Sequence, residues 1–168
     1  LEGLIMGTRC GDIDPAIIAF LARVKDMPVA QIDNLLNKKS GMLGVSGLSN
    51  DMRSVEQAAN EGNTRAALAL EMYCYRIKKY VGAYTAAIGN VHALVFTAGV
   101  GENSDVVRER VCSNLQNIGY KIDVEKNRGV RGKELDIATA DSPIRILIIP
   151  TNEELMIAQD TYALTAKK

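Results

Sequence analysis

The sequence predicts an α/β fold, and three observations support that prediction. The first half repeats apolar residues at three- and four-residue steps, the spacing of amphipathic helices. The second half contains short apolar runs that end in loops rich in Gly or Pro, and a helical pattern follows each loop. The resulting order of strand, helix, strands and helix is typical of parallel strands joined by crossover helices. A chain of 168 residues is long enough for one ordinary domain.

Composition and charge exclude several classes of protein. The chain is 47% hydrophobic and carries 20 basic and 20 acidic residues, so it is neither a disordered tail nor a binder of nucleic acid. No apolar run approaches the roughly 18 residues of a membrane span, so no membrane partner is expected. Three widely spaced Cys and a single His argue against a zinc site and favour a reducing, cytoplasmic compartment.

Helices are predicted in order along the first half. Asp14 followed by Pro15 begins the first helix, and a second runs from Pro28 to Ser40. Segment 41–50, rich in Gly, Ser and Asn, predicts an ordered loop.

The next two helices complete the first half. Asn50 or Asp51 caps a helix that runs through Ala59. The longest helix follows, with the basic segment 76–79 on its solvated face. Its apolar positions are Ala66, Leu70, Tyr73, Ile77, Tyr80 and Tyr84.

Strands appear in the second half. Segment 93–96 predicts a short strand, and segment 144–149 predicts a strong one. Weak strands are expected at 120–123 and 135–137, and segment 97–104 is expected to be a loop. Two helices complete the pattern: one with Val107, Val111, Leu115 and Ile118 on its apolar face, and one from Glu153 with Leu155, Ala158 and Tyr162 turned inward.

The loop after the first strand is a candidate ligand site, because ligands of open α/β sheets bind beyond the carboxyl ends of strands. Gly99 and Gly101 would let the main chain approach a ligand, while Asn103 or Ser104 would cap the next helix. The free N–H groups at such a helix start suit a phosphate or a nucleoside. A tight turn without any ligand explains the same glycines equally well.

Two other segments contain candidate charged groups. Glu153 or Glu154 could hold a divalent ion through water, although acids in a first helical turn are favoured by the helix dipole alone. Arg9, between two glycines, could bind a phosphate or a carboxylate with both ends of its guanidinium. A surface ion pair of Arg9 with Asp12 or Asp14 is the alternative.

Four segments together resemble the signatures of the acetate kinases. They occur in the same order and spacing, and the likeness extends over essentially the whole chain. The segments are MGTRCGDIDP at 6–15, NKKSG and GVSGLSNDMR within 37–53, FTAGVGEN at 96–103 and IPTNEE at 149–154.

This resemblance implies a fold and a reaction. The fold is the actin-like, ribonuclease H-like class of α/β domain shared with the sugar kinases, helix-rich and here truncated at its N-terminal strands. The reaction is reversible phosphoryl transfer from ATP to acetate, giving ADP and acetyl phosphate, with Mg²⁺ or Mn²⁺. Related kinases that act on propionate or butyrate are the alternative, as is a fragment that only binds nucleotide.

The resemblance also implies roles for particular residues. Arg9 would contact the transferred phosphoryl group or the acetate carboxylate, and Glu153 would bind the metal through water. Met52 stands where some relatives are expected to have an aromatic residue. The residues implied at the adenosine are Asp51, Met52, Arg53, Gly99, Val100, Gly101 and Asn103.

Acetate kinases also have features that residues 1–168 lack. Their N-terminal domain carries a His-Leu-Gly-Asn-Gly phosphate loop, and no such sequence occurs here. We therefore expect residues 1–168 to be a partial C-terminal nucleotide-binding domain that is inactive without the N-terminal domain. The intact enzyme is expected to be a cytoplasmic homodimer.

Overall fold

Within residues 2–90 of the computed structural model, five helices form the first unit of the chain, which ends at Asn90. The structure describes residues 2–166. The helices are α1 (Ala16–Val24), α2 (Val29–Lys38), α3 (Gly41–Ser46), α4 (Met52–Asn60) and α5 (Thr64–Ile88). Helix α5 packs against α3 and α4, and its buried residues include Leu70 and Cys74.

The predicted long helix is confirmed, and its ends have local causes. The Asn63 side chain accepts hydrogen bonds from the main-chain N–H groups of Arg65 and Ala66, each at 3.0 Å, and so caps the first turn. The helix ends at Gly89, whose φ of 80° lies outside helical geometry. Because caps and 3.6-residue spacing are local features, the sequence alone was sufficient here.

The prediction of a loop at 41–50 was wrong in its first part, because Gly41–Ser46 forms α3. The apolar side chain of Met42 is 2% exposed in the core of this unit. Its burial outweighs the poor helix propensity of the two glycines in the segment. Gly47, at φ 66°, then ends the helix in a left-handed turn.

The first helix has the predicted position but not the expected burial. None of the residues of α1 is buried, and Ile17, Ile18 and Phe20 are each 42–44% exposed. Its apolar face therefore contributes little to the core of the first unit.

The second unit begins at Val91. Within residues 91–166 it is built on a three-stranded mixed sheet of order β1-β3-β2, with strands β1 (Ala93–Phe96), β2 (Leu135–Asp136) and β3 (Arg145–Ile148). Strand β1 pairs in parallel with β3, with Ala93 opposite Arg145 and Phe96 opposite Ile148. The elements are β1 (Ala93–Phe96), α6 (Ala98–Asn103), α7 (Asp105–Cys112), a 3₁₀ turn (Gln116–Ile118), α8 (Val124–Asn127), β2 (Leu135–Asp136), β3 (Arg145–Ile148) and α9 (Glu153–Thr165).

The expectation of parallel strands holds for β1 with β3 and fails for β2. Strand β2 pairs antiparallel with β3, with Leu135 opposite Ile148. The connection between them is too short for a crossover helix, which a parallel pair would need. The segment predicted as a strand at 120–123 forms only isolated bridges, Tyr120 with Ile144 and Ile122 with Ala138.

Helices of the second unit also differ from the prediction. Segment 97–104 is not a loop, since Ala98–Asn103 forms α6. The helix expected to continue through Ile118 ends at Cys112, and Asn114 adopts a φ of 62° before the 3₁₀ turn. In α9 the predicted inward residues Leu155 and Tyr162 are 50% and 74% exposed.

The three cysteines form no disulfide, and Cys74 and Cys112 are buried in helices as expected of small hydrophobes. None of the helices within residues 2–166 has both the length and the apolarity needed to cross a bilayer.

Candidate functional site

The loop that carries Arg9 is held in place by its main chain. Residues at the end of α2 and the start of α3 bond to main-chain groups on both sides of Arg9. Within residues 2–166, the Arg9 side chain itself is exposed and makes no hydrogen bond or ion pair. The bonded main-chain pairs, N–H donor first, are Met42 with Met6 (2.9 Å), Leu43 with Gly7 (2.9 Å), Ser40 with Thr8 (3.0 Å) and Cys10 with Leu36 (3.0 Å).

Gly41 lies directly against this loop. A Cβ atom at this position would lie 2.7 Å from the Arg9 carbonyl oxygen and closer still to that of Met6, and the residue has a φ of 62°. A side chain would therefore displace the loop as well as strain the backbone. The loop thus combines a fixed backbone with a free guanidinium, a suitable arrangement for binding an anion.

The base of the loop is closed by Asp12. Its main-chain N–H donates to the Gly3 carbonyl at 3.0 Å, and its carboxylate accepts from the Gly3 N–H at 2.6 Å. The Tyr80 hydroxyl donates to the other carboxylate oxygen, and Arg76 donates to the Asp12 carbonyl at 3.0 Å. The alternative of an ion pair between Arg9 and Asp12 is not observed, because Asp12 pairs with Arg76 and Tyr80. The expectation that Arg76 is simply solvated is wrong, because it donates to main-chain carbonyls.

The hydrogen bond between Tyr80 and Asp12 shifts both groups. It holds the pKa of the Asp12 carboxyl below its ordinary value and raises the pKa of the Tyr80 phenol to about 12. Asp12 therefore contributes stability above its unfolded pKa of 3.8, and the contribution disappears as the pH falls through the lowered folded value. Tyr80 contributes stability below pH 10, and the contribution disappears as the pH rises through about 12.

This pair leads to a spectroscopic prediction for the chain. In an alkaline titration followed by phenolate absorption, we expect a late-ionising component near pH 12 that is absent from Tyr80→Phe. Asp12→Asn should move that component towards pH 10, because the carboxylate that stabilises the neutral phenol is lost. Tyr75→Phe, at an exposed tyrosine of the same helix, is the matched control and should leave it in place. Burial also raises the pKa of Tyr73, so a second late-ionising tyrosine is expected in every variant. A component near pH 12 of undiminished amplitude in Tyr80→Phe would contradict this prediction.

Asp51 and Arg53 lie together at the start of α4. Asp51 caps the helix by accepting the Arg53 N–H at 2.9 Å, and its carboxylate also accepts from Nε and Nη2 of Arg53 at 3.1 and 2.6 Å. These contacts lower the pKa of the Asp51 carboxyl. The Arg53 side chain is 86% exposed, so the face of its guanidinium is open to a planar ring. Met52, by contrast, has a buried side chain with 9% exposure.

In the second unit, the two glycines of α6 have different surroundings. A Cβ atom on Gly99 would meet no heavy atom within 4 Å, whereas one on Gly101 would lie 3.2 Å from the Phe96 carbonyl carbon. Gly101 therefore serves close helix–strand packing, and Gly99 leaves open space. Asn103 donates to the Gly99 carbonyl at 2.9 Å, and Val100 is half-buried.

Ser104, one of the two capping residues considered, caps the following helix. Its hydroxyl oxygen accepts the Val107 N–H at 3.0 Å at the start of α7. Asn103, the other candidate, does not cap α7, and it is exposed at the end of α6.

A cleft of about 420 Å³ lies at the carboxyl ends of β1 and β3. Two residues predicted from sequence, Gly99 and Glu153, line it together. The remaining lining residues were not predicted as site residues, apart from Glu154, which was the alternative to Glu153. The full lining is Ala98, Gly99, Glu102, Thr151, Asn152, Glu153 and Glu154.

Thr151 joins the two sides of this cleft. Its N–H donates to a carboxylate oxygen of Glu102 at 2.6 Å, and its hydroxyl accepts the Ala98 N–H at 3.2 Å and contacts the Thr97 hydroxyl at 2.7 Å. Sequence reasoning missed Glu102 and Thr151, although both lie within the segments that carry the resemblance. Their pairing spans 49 residues, so no local spacing could have indicated it.

The acidic residues of the cleft fit a hydrated magnesium ion better than a protein-only cage. Within residues 2–166, no group of three His, Cys, Asp or Glu residues could hold a metal by itself. Mg²⁺ commonly keeps several waters and takes one or two carboxylates together with substrate phosphates. Glu153 and Glu154, both exposed in the first turn of α9, are suited to that role.

Arg108 supports α6 through a hydrogen bond to its main chain, a role that the sequence did not predict. It is fully buried, and its guanidinium donates to the Gly101 carbonyl (2.8 Å), the Val130 carbonyl (2.7 Å) and the Asn127 side-chain oxygen (2.7 Å). Burial lowers the pKa of this guanidinium. The bond to the Gly101 carbonyl holds α6 in place, and with it the candidate site residues of segment 99–103.

The chain is similar in sequence to a known protein family. The sequence model of the acetokinase family matches residues 1–159. An acetate kinase of Halothermothrix orenii is 57% identical over 161 residues, covering 96% of this chain and 40% of that protein. This chain therefore spans about two fifths of the length of this curated relative.

Solved structures show the same similarity. The crystal structure of Porphyromonas gingivalis acetate kinase matches with a TM-score of 0.92 and 52% identity, over 96% of this chain and 41% of that one. A propionate kinase from Francisella tularensis matches with a TM-score of 0.86 and 45% identity, over 94% and 40% of the two chains.

Proposed function

The chain belongs to the acetokinase family, and from that premise we propose that it is part of a longer enzyme that transfers a phosphoryl group between ATP and acetate. The products are ADP and acetyl phosphate, and the reaction is reversible. The observation that carries the proposal is the 57% identity to an acetate kinase over 96% of the chain. Because the chain spans 40% of that relative, we propose that residues 1–168 form part of the C-terminal domain and need an N-terminal domain for activity.

Arg9 is the proposed catalytic residue of this part of the enzyme. Phosphoryl transfer needs in-line positioning and neutralisation of charge on the equatorial oxygens, with little covalent chemistry. A guanidinium on a fixed loop, with no partner of its own among the described residues, can donate to those oxygens as charge develops on them. The same group could instead orient the acetate carboxylate through two parallel hydrogen bonds.

The cleft of the second unit is the proposed position of the nucleotide and its metal. Main-chain groups at Gly99, Val100 and Gly101, with the Asn103 side chain, would contact the nucleoside. Mg²⁺ or Mn²⁺ would neutralise the phosphates when bound, and Glu153 would hold it through water. The space next to Gly99 and the two exposed glutamates of α9 support this assignment.

In the first unit, Asp51, Met52 and Arg53 are the proposed adenosine contacts. The exposed Arg53 guanidinium, held by Asp51, offers a flat face for stacking on a base or a polar edge for a ribose. Met52 is the weakest member of this set, because its side chain is buried in the core.

The two glycines of α6 provide a matched test of nucleotide binding. Gly99→Ala is expected to weaken binding of ADP by roughly 10-fold, because the added methyl would occupy space that the nucleotide needs. Its unfolding midpoint should not fall, since among the described residues the methyl has no atom within 4 Å outside its own helical backbone, and alanine favours helix. Gly101→Ala should instead lower stability through contact with Phe96. Titration calorimetry and urea unfolding of both variants would decide, and unchanged ADP affinity in Gly99→Ala would contradict the assignment.

The reaction itself is tested with the full-length protein. We expect ATP-dependent formation of an acyl phosphate from acetate, trapped as the hydroxamate and matched by release of ADP. The isolated 168-residue chain should give no measurable product while retaining weak ADP binding. A full-length protein that binds ATP but forms no acyl phosphate would refute the proposed function.

Propionate is the second candidate acceptor, because a propionate kinase is 45% identical over 94% of the chain. One methylene changes binding in an apolar pocket by about 1–3 kcal/mol, so both acids are expected to react. Comparing kcat/KM for acetate, propionate and butyrate in the full-length enzyme gives the preference directly.

We also propose that the intact enzyme is a cytoplasmic homodimer, as the family resemblance implies. Sedimentation velocity of the full-length protein across a range of concentrations tests the oligomeric state. A single monomeric species at all concentrations would contradict it.

A further inference from the structure

Three side chains outside the predicted site close the base of the Arg9 loop, and we propose that they position Arg9 for phosphoryl transfer. These residues, Asp12, Arg76 and Tyr80, are called the Asp12 cluster below. The inference rests on the proposed function, because it concerns the reaction in which Arg9 takes part. The sequence predicts only surface or helix-packing positions for these three residues.

Asp12 closes the Arg9 loop at its base. Asp12 bonds to Gly3 twice, once through its own N–H at 3.0 Å and once through its carboxylate at 2.6 Å. These two bonds join the ends of a segment whose middle carries Arg9. Because both ends are tied together, rotation of the loop at its base would break two hydrogen bonds at once.

The base of the loop is in turn attached to α5. Tyr80 donates its hydroxyl to the Asp12 carboxylate, and Arg76 donates to the carbonyls of Asp12 and Gly3 at 3.0 and 3.4 Å. Arg76 and Tyr80 are four residues apart and therefore share one face of the helix. Helix α5 is the longest described helix and packs against α3 and α4, so it provides a rigid support.

The Asp12 cluster is expected to position Arg9 more than it stabilises the folded unit. The Asp12 and Arg76 side chains keep 43% and 23% of their exposure, and ion pairs of this kind contribute little to global stability. The main chain near the loop's middle is held separately by α2 and α3. Loss of the Asp12 cluster should therefore leave the unit folded but loosen the loop at its base, so that the Arg9 guanidinium is positioned less exactly. A displacement of about 1 Å in such a group can cost roughly 10²-fold in rate.

The experiment uses the full-length enzyme and a double-mutant cycle. Asp12→Asn is expected to lower kcat by roughly 10- to 100-fold, and Tyr80→Phe by about 3- to 10-fold, with the KM for ATP unchanged. In the Arg9→Ala background, neither substitution should lower kcat further, because the group that they position is absent. Tyr84→Phe, one turn along α5 at an exposed tyrosine, is the matched control and should retain full kcat.

A second readout follows the loop directly. Hydrogen exchange of the amides of Met6 and Cys10 should become faster in Asp12→Asn and Tyr80→Phe, and stay unchanged in Tyr84→Phe. Unchanged exchange, or losses in kcat that multiply with that of Arg9→Ala, would overturn the positioning role while leaving the kinase assignment intact. A wild-type enzyme that forms no acyl phosphate would overturn the proposed function, and this inference with it.

Discussion

Arg9→Ala in the full-length enzyme is expected to lower kcat for acetyl phosphate formation by roughly 10²–10³-fold, the usual effect of removing one preorganised donor from a developing charge. The reason lies in the geometry of the loop. Its main chain is bonded on both sides of Arg9, so the loop is already ordered before substrate binds and loses little further conformational entropy. The guanidinium is exposed and has no partner within residues 2–166 that must be displaced first.

The measurement is steady-state kinetics with hydroxamate trapping, together with ADP binding. Arg9→Lys should recover only part of the loss, because an ammonium group cannot form two parallel bonds to one phosphoryl group. Free guanidinium added to Arg9→Ala should restore part of the rate. Arg23→Ala, an exposed arginine in the last turn of α1, is the control and should leave kcat unchanged. An Arg9→Ala enzyme with full kcat would remove Arg9 from the mechanism.

Arg108→Met should have the largest effect on stability, lowering the free energy of unfolding of the chain by at least about 3 kcal/mol. Methionine fills a similar apolar volume but donates no hydrogen bond. The buried side-chain oxygen of Asn127 and the half-buried carbonyls of Gly101 and Val130 would then lose their donor. Each unsatisfied buried acceptor costs about 1–3 kcal/mol.

Urea unfolding of the purified chain measures this effect. Arg128→Ala removes a surface ion pair with Glu125 and should change stability by less than about 1 kcal/mol. Because Arg108 holds the end of α6, Arg108→Lys should also weaken ADP binding under conditions in which the variant is still folded. An Arg108→Met chain as stable as the wild type would show that the buried network contributes nothing net.

Local patterns were sufficient for the longer helices. Apolar spacing and capping residues predicted α2, α4 and α5 close to their observed bounds, and Asp51 caps α4 as expected. The same patterns could not say which apolar faces are covered. Helices α1 and α9 form as predicted, yet neither buries a single residue, because burial depends on which other elements pack against a face.

Short glycine-containing helices were missed for a related reason. Segments Gly41–Ser46 and Ala98–Asn103 both have composition typical of loops, and both are helical. Intrinsic propensity is a weak term that tertiary packing can outweigh, and neither segment is long enough to show a period.

By itself, the sequence determined the α/β class, the long helices, the family resemblance and the segments that hold the candidate site. Only the tertiary structure decided how those segments are supported. Arg76 reaches Asp12 across 64 residues, and Glu102 reaches Thr151 across 49. Hydrogen bonds between such distant residues leave no periodic trace in a single sequence, because their geometry exists only once the chain has folded.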